Sequence, residues 1–275
     1  MTLSRDTFQF VADLVLRKSA IQLPAGKEYL VESRLIPLAR EKGFTGDIAV
    51  DSYIRELRKK PESFEHFEIV DALTTNETSW FRDASPFKAL TDVIVPELRK
   101  QGAFGGLRIW SAACSTGQEP YSIAMSLMEM ADPPAFNVTA TDLSRVVLAQ
   151  AREGVYSQLE MNRGLPAPML VRYFERDGRG WRANPQLRRS ITFKEHNLLD
   201  PPPVGGPYDI VFIRNVLIYF DLQTKAGVLR RVASTLRPGG FLVLGAAETT
   251  MGMDPVWQRV DIAKGAVYRL QGGKR

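Results

Sequence analysis

Between Ser111 and Pro120 the chain reads Ser-Ala-Ala-Cys-Ser-Thr-Gly-Gln-Glu-Pro, a run of small side chains that lets the backbone approach a ligand closely. A turn of this kind between a strand and a helix lies where open α/β folds bind, at the carboxyl edge of the sheet. It holds neither G-x-G-x-x-G nor G-x-x-x-x-G-K-[ST], so the glycines that admit a dinucleotide or a triphosphate are missing. Glu119 opens the next helix. A carboxylate there complements the positive helix end and repels phosphate, so the turn suits a ligand with cationic groups, although a lone Glu at this position is more often a helix-start residue than a ligand contact. Asp142 ends Thr139-Ala140-Thr141-Asp142, about 20–30 residues past that turn. It is placed either to accept hydrogen bonds from both hydroxyls of a ribose or to cap the helix beginning at Ser144. A turn poor in phosphate contacts followed by a ribose acid points to a nucleoside without phosphates, of which S-adenosylmethionine is the commonest cofactor.

Other chemistries find few groups. Cys114 is the single cysteine, which excludes an internal disulfide and any multi-thiolate metal site. His66 and His196 are the only imidazoles, too few for a histidine-based zinc centre. Cys114 is expected to be a small buried residue, Trp80 and Phe81 packing residues, and His66, among Phe64, Phe67 and Ile69, a helix-face residue. His196 receives no role.

The elements that position these residues fall into two patterns. In residues 1–75, Phe8, Val11, Ala12 and Val15 recur at helical spacing, as do Leu30, Val31, Leu35, Leu38 and Ala39, and then Val50, Tyr53, Ile54 and Leu57. This predicts an all-helical domain, followed by a linker over 76–85. From residue 86 onward short apolar runs (Leu107–Trp110, Phe136–Ala140, Ile191–Phe193, Tyr208–Ile213, Phe241–Leu244) alternate with amphipathic stretches of helical length (Phe87–Lys100, Glu119–Met130, Ser144–Glu153, Leu222–Leu236). Alternation of this kind predicts an α/β domain over 86–275 with a mainly parallel, doubly wound sheet. Trp257–Asp261 and Ala266–Leu270, joined through Lys264-Gly265, predict a C-terminal antiparallel hairpin. Val171–Glu175 and Trp181–Ala183, flanking Asp177-Gly178-Arg179-Gly180, predict a hairpin in a small inserted β-subdomain at about 163–190.

The chain has 275 residues, 44% hydrophobic and 24% charged, which fits a folded globular protein and excludes disorder. No apolar run approaches the roughly 20 residues of a membrane span, and the first residues carry no secretory pattern, so a cytoplasmic location is expected. The net charge of +5 is local: 163–194 holds eight basic residues against Glu175 and Asp177, net +6. Such a patch suits nucleic acid, an acidic protein or a membrane surface, or is a solvated face.

Four blocks together resemble the CheR-type chemotaxis protein methyltransferases: Thr75-Asn76-Glu77-Thr78-Ser79-Trp80-Phe81-Arg82, Ala113–Ala124, Ala140-Thr141-Asp142-Leu143 and Arg214-Asn215-Val216-Leu217-Ile218-Tyr219-Phe220. Their order and spacing agree over nearly the whole chain. The resemblance implies a Rossmann-like fold and transfer of a methyl group from S-adenosylmethionine to glutamate side chains of bacterial chemoreceptors, leaving S-adenosylhomocysteine. It implies cofactor contacts by Asn76, Thr78, Arg82, Glu119, Asp142, Asn197, Leu198, Arg214 and Asn215, and places Arg82 and Tyr219 nearest the transferred methyl. Two positions depart from the family pattern. Gln118 stands where many relatives have Glu, and Gly245-Ala246-Ala247-Glu248 replaces a Gly-His-Ser-Glu-like segment, so no role of that His or Ser carries over.

A glutamate carboxylate, with an ordinary pKa near ~4.3, is already an anion at neutral pH and needs no general base. Arg82 is then expected to position a carboxylate, the cofactor's or the substrate's, and Tyr219 to orient the methyl or substrate through its hydroxyl. The helical domain is the expected receptor-docking part, with Lys27, Arg34, Arg40 and Lys42 as one face, although 1–75 holds 11 basic and 12 acidic residues. Arg172, Arg179 and Arg182 of the basic hairpin are expected to attract the acidic receptor. Some relatives use this subdomain to grip a peptide at the receptor's carboxyl terminus; the short turn here implies a tail-independent enzyme. The alternatives are a nucleic-acid methyltransferase using the basic hairpin and a non-catalytic S-adenosylmethionine-binding module.

Overall fold

The computed structural model describes residues 3–102, 105–262 and 265–271. They form two compact units: Met1–Thr75 together with Tyr219–Thr224, and Asn76–Ile218 together with Lys225–Arg275.

The first unit contains α1 (Arg5–Ser19), α2 (Glu28–Glu41), α3 (Ala49–Leu57) and α4 (Phe64–Leu73). The apolar positions read from the sequence are its core: Val11 and Val15, Val31, Leu35 and Ala39, and Val50, Tyr53, Ile54 and Leu57 are all buried. The fourth helix lay outside the three periodic sets. Its start is set by a capping box, in which the Ser63 backbone N–H donates to His66 Nδ1 at 3.1 Å, and Ile69, Val70 and Leu73 are its buried residues. His66 is thus a buried helix-start residue. Arg34 donates from Nη1 to the carbonyls of Leu73 and Thr74 at 2.8 and 2.9 Å, closing the end of α4, so it is not a free docking cation. Lys42 pairs with Glu68 at 2.8 Å, while Lys27 and Arg40 are exposed.

Asp51 joins α3 to the start of α1. Its Oδ1 accepts from the Ser4 hydroxyl at 2.6 Å and the Thr7 hydroxyl at 2.5 Å, and the Ser4 N–H lies 3.2 Å away. Burial alone would raise this carboxyl, but the Ser4 and Thr7 hydrogen bonds outweigh it and hold it below its ordinary value.

The second unit opens with α5 (Ser85–Ala89), a π turn (Leu90–Ile94) and α6 (Val95–Lys100), which together replace the single helix expected from Phe87. Pro96 has no N–H and its ring crowds the carbonyl four residues back, which accounts for the widened turn ahead of it. There follow β1 (Leu107–Ala112), α7 (Gln118–Met128), β2 (Phe136–Asp142), α8 (Arg145–Glu153), β3 (Val155–Ser157), α9 (Gln158–Met161), α10 (Ala167–Tyr173), β4 (Phe174–Asp177), β5 (Gly180–Ala183), α11 (Pro185–Arg189), β6 (Ile191–Glu195), β7 (Tyr208–Ile213), a 3-10 turn (Leu217–Tyr219), α12 (Leu222–Thr235), β8 (Leu236–Leu244), β9 (Trp257–Arg259) and β10 (Ala266–Leu270). The main sheet has the order β6-β2-β1-β7-β8-β10-β9. Its first five strands are parallel, and β10 and β9 are antiparallel additions. Of the C-terminal connection, Lys264 lies outside the described residues.

From β1 the chain winds outward through β2 to β6, then returns to β7 on the other side of β1. This reversal opens a crevice at the carboxyl ends of β1 and β7. The crossover from β6 to β7, residues 196–207, carries no helix; Lys194 and Arg108 donate to its carbonyls at Val204 and Gly206.

Two expected boundaries move. The inserted sheet is three-stranded, β3-β5-β4, and begins at Val155 rather than 163. Its first strand is three residues long, too short to register as alternation. Val171 belongs to α10, which starts after Pro166 and carries Pro168 in its first turn, so the strand expected from Val171 starts at Phe174. The two-residue turn Gly178-Arg179 puts Gly178 at φ +57°, the glycine-first pattern of a tight hairpin. The stretch 76–85 is not a linker. It is built into the second unit through Trp80, which is 1% exposed and packs edge-on against Tyr156 and Phe174, with ring centroids at 4.9 and 5.3 Å.

Because Asp51 has a lowered pKa in the folded protein, the unfolded chain binds more protons across the window between the two values. Its contribution to stability is therefore present above about pH 4 and lost as the pH falls through the lowered native value. Urea midpoints of the wild-type protein should drop across that window, and Asp51→Asn should be less stable at neutral pH and flatter below pH 4.

Candidate functional site

The turn after β1 takes its shape from three left-handed residues, Ala113 (φ +60°), Ser115 (φ +51°) and Gly117 (φ +96°). Only glycine fits at 117, where a Cβ would lie 3.0 Å from both Ala151 Cβ and the Tyr156 hydroxyl. The turn is held by Asp142, whose Oδ2 accepts the Ser115 N–H at 2.7 Å while Oδ1 accepts the Ser144 N–H at 3.0 Å. Ser144, not Asp142, caps α8, accepting from the Val147 N–H. Asp142 therefore does something other than end-capping: it ties the loop after β1 to the loop after β2. Its own carbonyl accepts the His196 N–H at 2.9 Å, which brings in the end of β6. There Asn197 Oδ1 accepts the Leu199 N–H at 3.0 Å, and the Leu198 carbonyl accepts from the Arg231 guanidinium at 2.9 Å. On the other side the Ser115 hydroxyl donates to the Asn76 carbonyl at 2.7 Å. Asn76, Thr78, Thr116 and Gln118 line part of a cavity of about 180 Å³.

Glu119 faces the next strand. It accepts from the Ser111 hydroxyl at 2.8 Å and from Arg214 Nη1 at 2.9 Å. Arg214 follows β7 directly, and its side chain is 2% exposed. Nη2 donates to the Arg82 carbonyl at 2.6 Å and to Asp83 Oδ2 at 2.9 Å, and the guanidinium lies 5.6 Å from the Phe87 ring centroid. Arg82 itself is half-buried and donates to the Glu77 carbonyl at 3.0 Å. Phe81, Asp83 and Ala84, all with positive φ, flank the point that Arg214 grips.

The structure thus links Asn76, Arg82, Glu119, Asp142 and Arg214 through direct hydrogen bonds or a single intervening residue, with Asn197 and Asn215 next in chain to linked positions. Tyr219 ends the 3-10 turn after β7 and belongs to the compact unit of the N-terminal helices. Glu248 is the residue whose role sequence reasoning missed. Its buried carboxylate accepts the N–H groups of Asn215 at 2.9 Å, Val216 at 3.0 Å, Leu217 at 2.8 Å and Gly245 at 2.7 Å. The one available signal was an acidic residue three positions past the glycine that follows an apolar strand. Ala246 and Ala247, the departures from the family pattern, are both exposed.

Burial pushes the Cys114 thiol up, so it is no thiolate at neutral pH. Burial also pushes His196 down, leaving a neutral imidazole packed edge-on at 5.7 Å from Trp110. Neither residue offers a nucleophile or a strong base. No group of three or more metal-ligating side chains occurs among the described residues.

The basic segment is compensated in part, by acids within it and from elsewhere in the unit. Arg172 pairs with Glu129 at 2.6 Å, Arg182 with Asp177, and Arg163 with Glu77 at 3.0 Å. Arg176 lies 4.1 Å from the Trp181 ring centroid. Of the three hairpin arginines expected to face a partner, only Arg179 is exposed without an ion pair.

Residues 76–266 match the family description "CheR methyltransferase, SAM binding domain", and 6–74 match "CheR methyltransferase, all-alpha domain". The doubly wound unit is therefore the S-adenosylmethionine-binding domain of a methyltransferase. "Chemotaxis protein methyltransferase Cher2" of Pseudomonas putida is 41% identical over 91% of this chain and 93% of its own length. "Chemotaxis protein methyltransferase 1" of Pseudomonas aeruginosa is 38% identical over 98% and 100%, and the Escherichia coli chemotaxis protein methyltransferase 36% over 98% and 92%. The chain belongs to the CheR family of chemotaxis protein methyltransferases.

The donor set fits that cofactor. A carboxylate rather than a bare helix end faces the turn, an acid stands at the end of β2, and the buried Arg214 Nε–H has no acceptor among the described residues. Asp83, Glu119, Asp142 and Glu248 outnumber Arg82 and Arg214, so the site carries net negative charge, the sign complementary to a cationic ligand.

Removing the cation while the largely buried Glu119 carboxylate and the exposed Asp83 remain is expected to be costly. Arg214→Met should lose about 3–5 kcal/mol of unfolding free energy, measured by urea denaturation. Neutralising the partners as well, with Asp83→Asn and Glu119→Gln, should recover part of that loss.

Proposed function

We propose that this protein methylates glutamate side-chain carboxylates of bacterial chemoreceptors, giving methyl esters. The observation that carries the reading is the match of both domains, end to end, to chemotaxis protein methyltransferases. The lack of a strong base in the crevice among the described residues supports it, because a carboxylate acceptor needs none.

When bound, S-adenosylmethionine supplies an electrophilic methyl on a sulfonium. Asp142 accepts from the ribose hydroxyls, and Glu119 offsets positive charge on the methionine end. Asn76, Thr78, Asn197, Leu198, Arg214 and Asn215 complete the cofactor contacts. Arg82 positions a carboxylate, and Tyr219 orients the methyl or the acceptor through its hydroxyl. Attack by a carboxylate on a sulfonium consumes opposite charges, so these residues act by alignment and by excluding water rather than by proton transfer. The helical unit and the exposed Arg179 are the surfaces offered to the acidic receptor, with Lys27 and Arg40 as the remaining cations of the helical face. The internal pairing of Arg163, Arg172 and Arg182 weighs against nucleic acid as the acceptor.

Asp142→Ala should weaken S-adenosylmethionine binding by roughly 1.5–3 kcal/mol, the range for losing a charged hydrogen-bond partner. Titration calorimetry on the folded variant checks this, and an unchanged affinity would remove Asp142 from the site. For the acceptor, radiolabelled methyl groups transferred to receptor should be released as methanol by mild alkali. Label that survives the alkali treatment, or that enters RNA instead, would sink the carboxyl-methyltransferase reading.

A further inference from the structure

The loop that leaves β7 carries Arg214 and Asn215 and leads into the 3-10 turn Leu217–Tyr219, yet no backbone hydrogen bond of a sheet or a long helix fixes its first residues. Asn215 stands at φ +59°, a conformation that needs support. The support comes from Glu248, which is 7% exposed. Its Oε2 accepts from Asn215 and Gly245, and its Oε1 from Val216 and Leu217. A turn closed by the Glu248 N–H on the Gly245 carbonyl at 3.0 Å sets the carboxylate in place. The fit leaves no space for another side chain, since a Cβ at 245 would lie 2.7 Å from Glu248 Oε2 and 3.0 Å from the Asn215 nitrogen.

We infer that Glu248 is a positioning residue of the methyl-transfer site: its carboxylate fixes the backbone from Asn215 to Leu217, and so the placement of Asn215. The inference rests on the methyltransferase reading. All four donors are backbone N–H groups, so only a group with two acceptor oxygens satisfies them. An amide does not. In Glu248→Gln either rotamer keeps one oxygen and turns an NH₂ group toward two N–H donors, leaving both unpaired. The alignment of reacting atoms is sensitive to displacements of about 1 Å, which cost on the order of 100-fold in rate. The defect therefore belongs in turnover, whereas loss of mere folding stability would remove active molecules and leave each remaining one unchanged.

The test uses the full-length protein with receptor as acceptor, and turnover expressed per S-adenosylmethionine-binding site counted by calorimetry. Wild-type activity measured alongside checks the underlying reading: no ester formed by wild-type protein means that reading has failed, and the variants then decide through exchange alone. In Glu248→Gln, kcat per binding site should fall at least about 10-fold with KM for receptor changed less than about 3-fold. Without ligand, amide hydrogen exchange at Val216 and Leu217 should accelerate relative to wild type, while the amides of Ile210–Phe212 in β7 stay protected. Glu248→Ala leaves four N–H donors around a vacated carboxylate, so formate should restore turnover in a saturable manner and slow the same exchange, with no effect on wild type. Exchange at Val216 and Leu217 equal to wild type in Glu248→Gln would overturn the inference, as would wild-type kcat per site. If Glu248→Ala does not fold, Glu248→Gln decides alone.

Discussion

The site depends on one buried cation. Arg214 is removed from water and bridges Glu119 on α7, Asp83, and the Arg82 carbonyl, residues 95 and more positions away in the chain. An unpaired buried guanidinium would be strongly unfavourable, so the carboxylates have to be there, and the geometry of the guanidinium dictates where. The backbone on either side of Arg82 carries three non-glycine residues at positive φ, at a cost of about 1–3 kcal/mol each. Such strain persists only when surrounding contacts over-determine it. Here those contacts are the arginine on one side and the Trp80 ring cluster on the other.

A second device recurs along the crevice: an acidic side chain near a strand end accepts backbone N–H groups from separate loops. Asp142 joins the loops after β1 and β2 in this way, and Glu248 joins the loops after β7 and β8. A carboxylate has two oxygens and about four lone-pair positions, so it can organise several loop amides at once, which a neutral side chain of similar size cannot. The same groups make the crevice acidic overall. That electrostatic character goes with a phosphate-free, cationic cofactor and would reject a triphosphate.

The chemistry proposed for this arrangement is undemanding in protons and demanding in geometry. The histidines are engaged elsewhere, one in a capping box and the other neutral beside Trp110. Cys114 is sealed in the core. Alignment is left as the protein's contribution, which explains why so many of its buried polar side chains hold loops rather than face a reacting atom.

The sequence by itself determined the elements and the chemistry of their ends. The helical periodicity of α1 to α3, the strand-and-helix alternation, the phosphate-poor turn and the acid at Asp142 are local properties, set by side-chain spacing and backbone preference within a few residues. The family blocks added which residues to expect as cofactor contacts. What the sequence left undecided are facts of long-range partnership. The stretch 76–85 reads as a polar linker because nothing nearby reveals that Trp80 will be covered by Tyr156 and Phe174. The basic segment reads as a net +6 patch because Glu129 and Glu77, which neutralise part of it, come from other segments. Arg34 reads as a docking cation until α4 ends against it. Glu248 receives no role from the sequence until four amides from two loops converge on it. Charges and hydrogen bonds act over a few ångströms in space, and only the tertiary structure decides which residues are brought within that range.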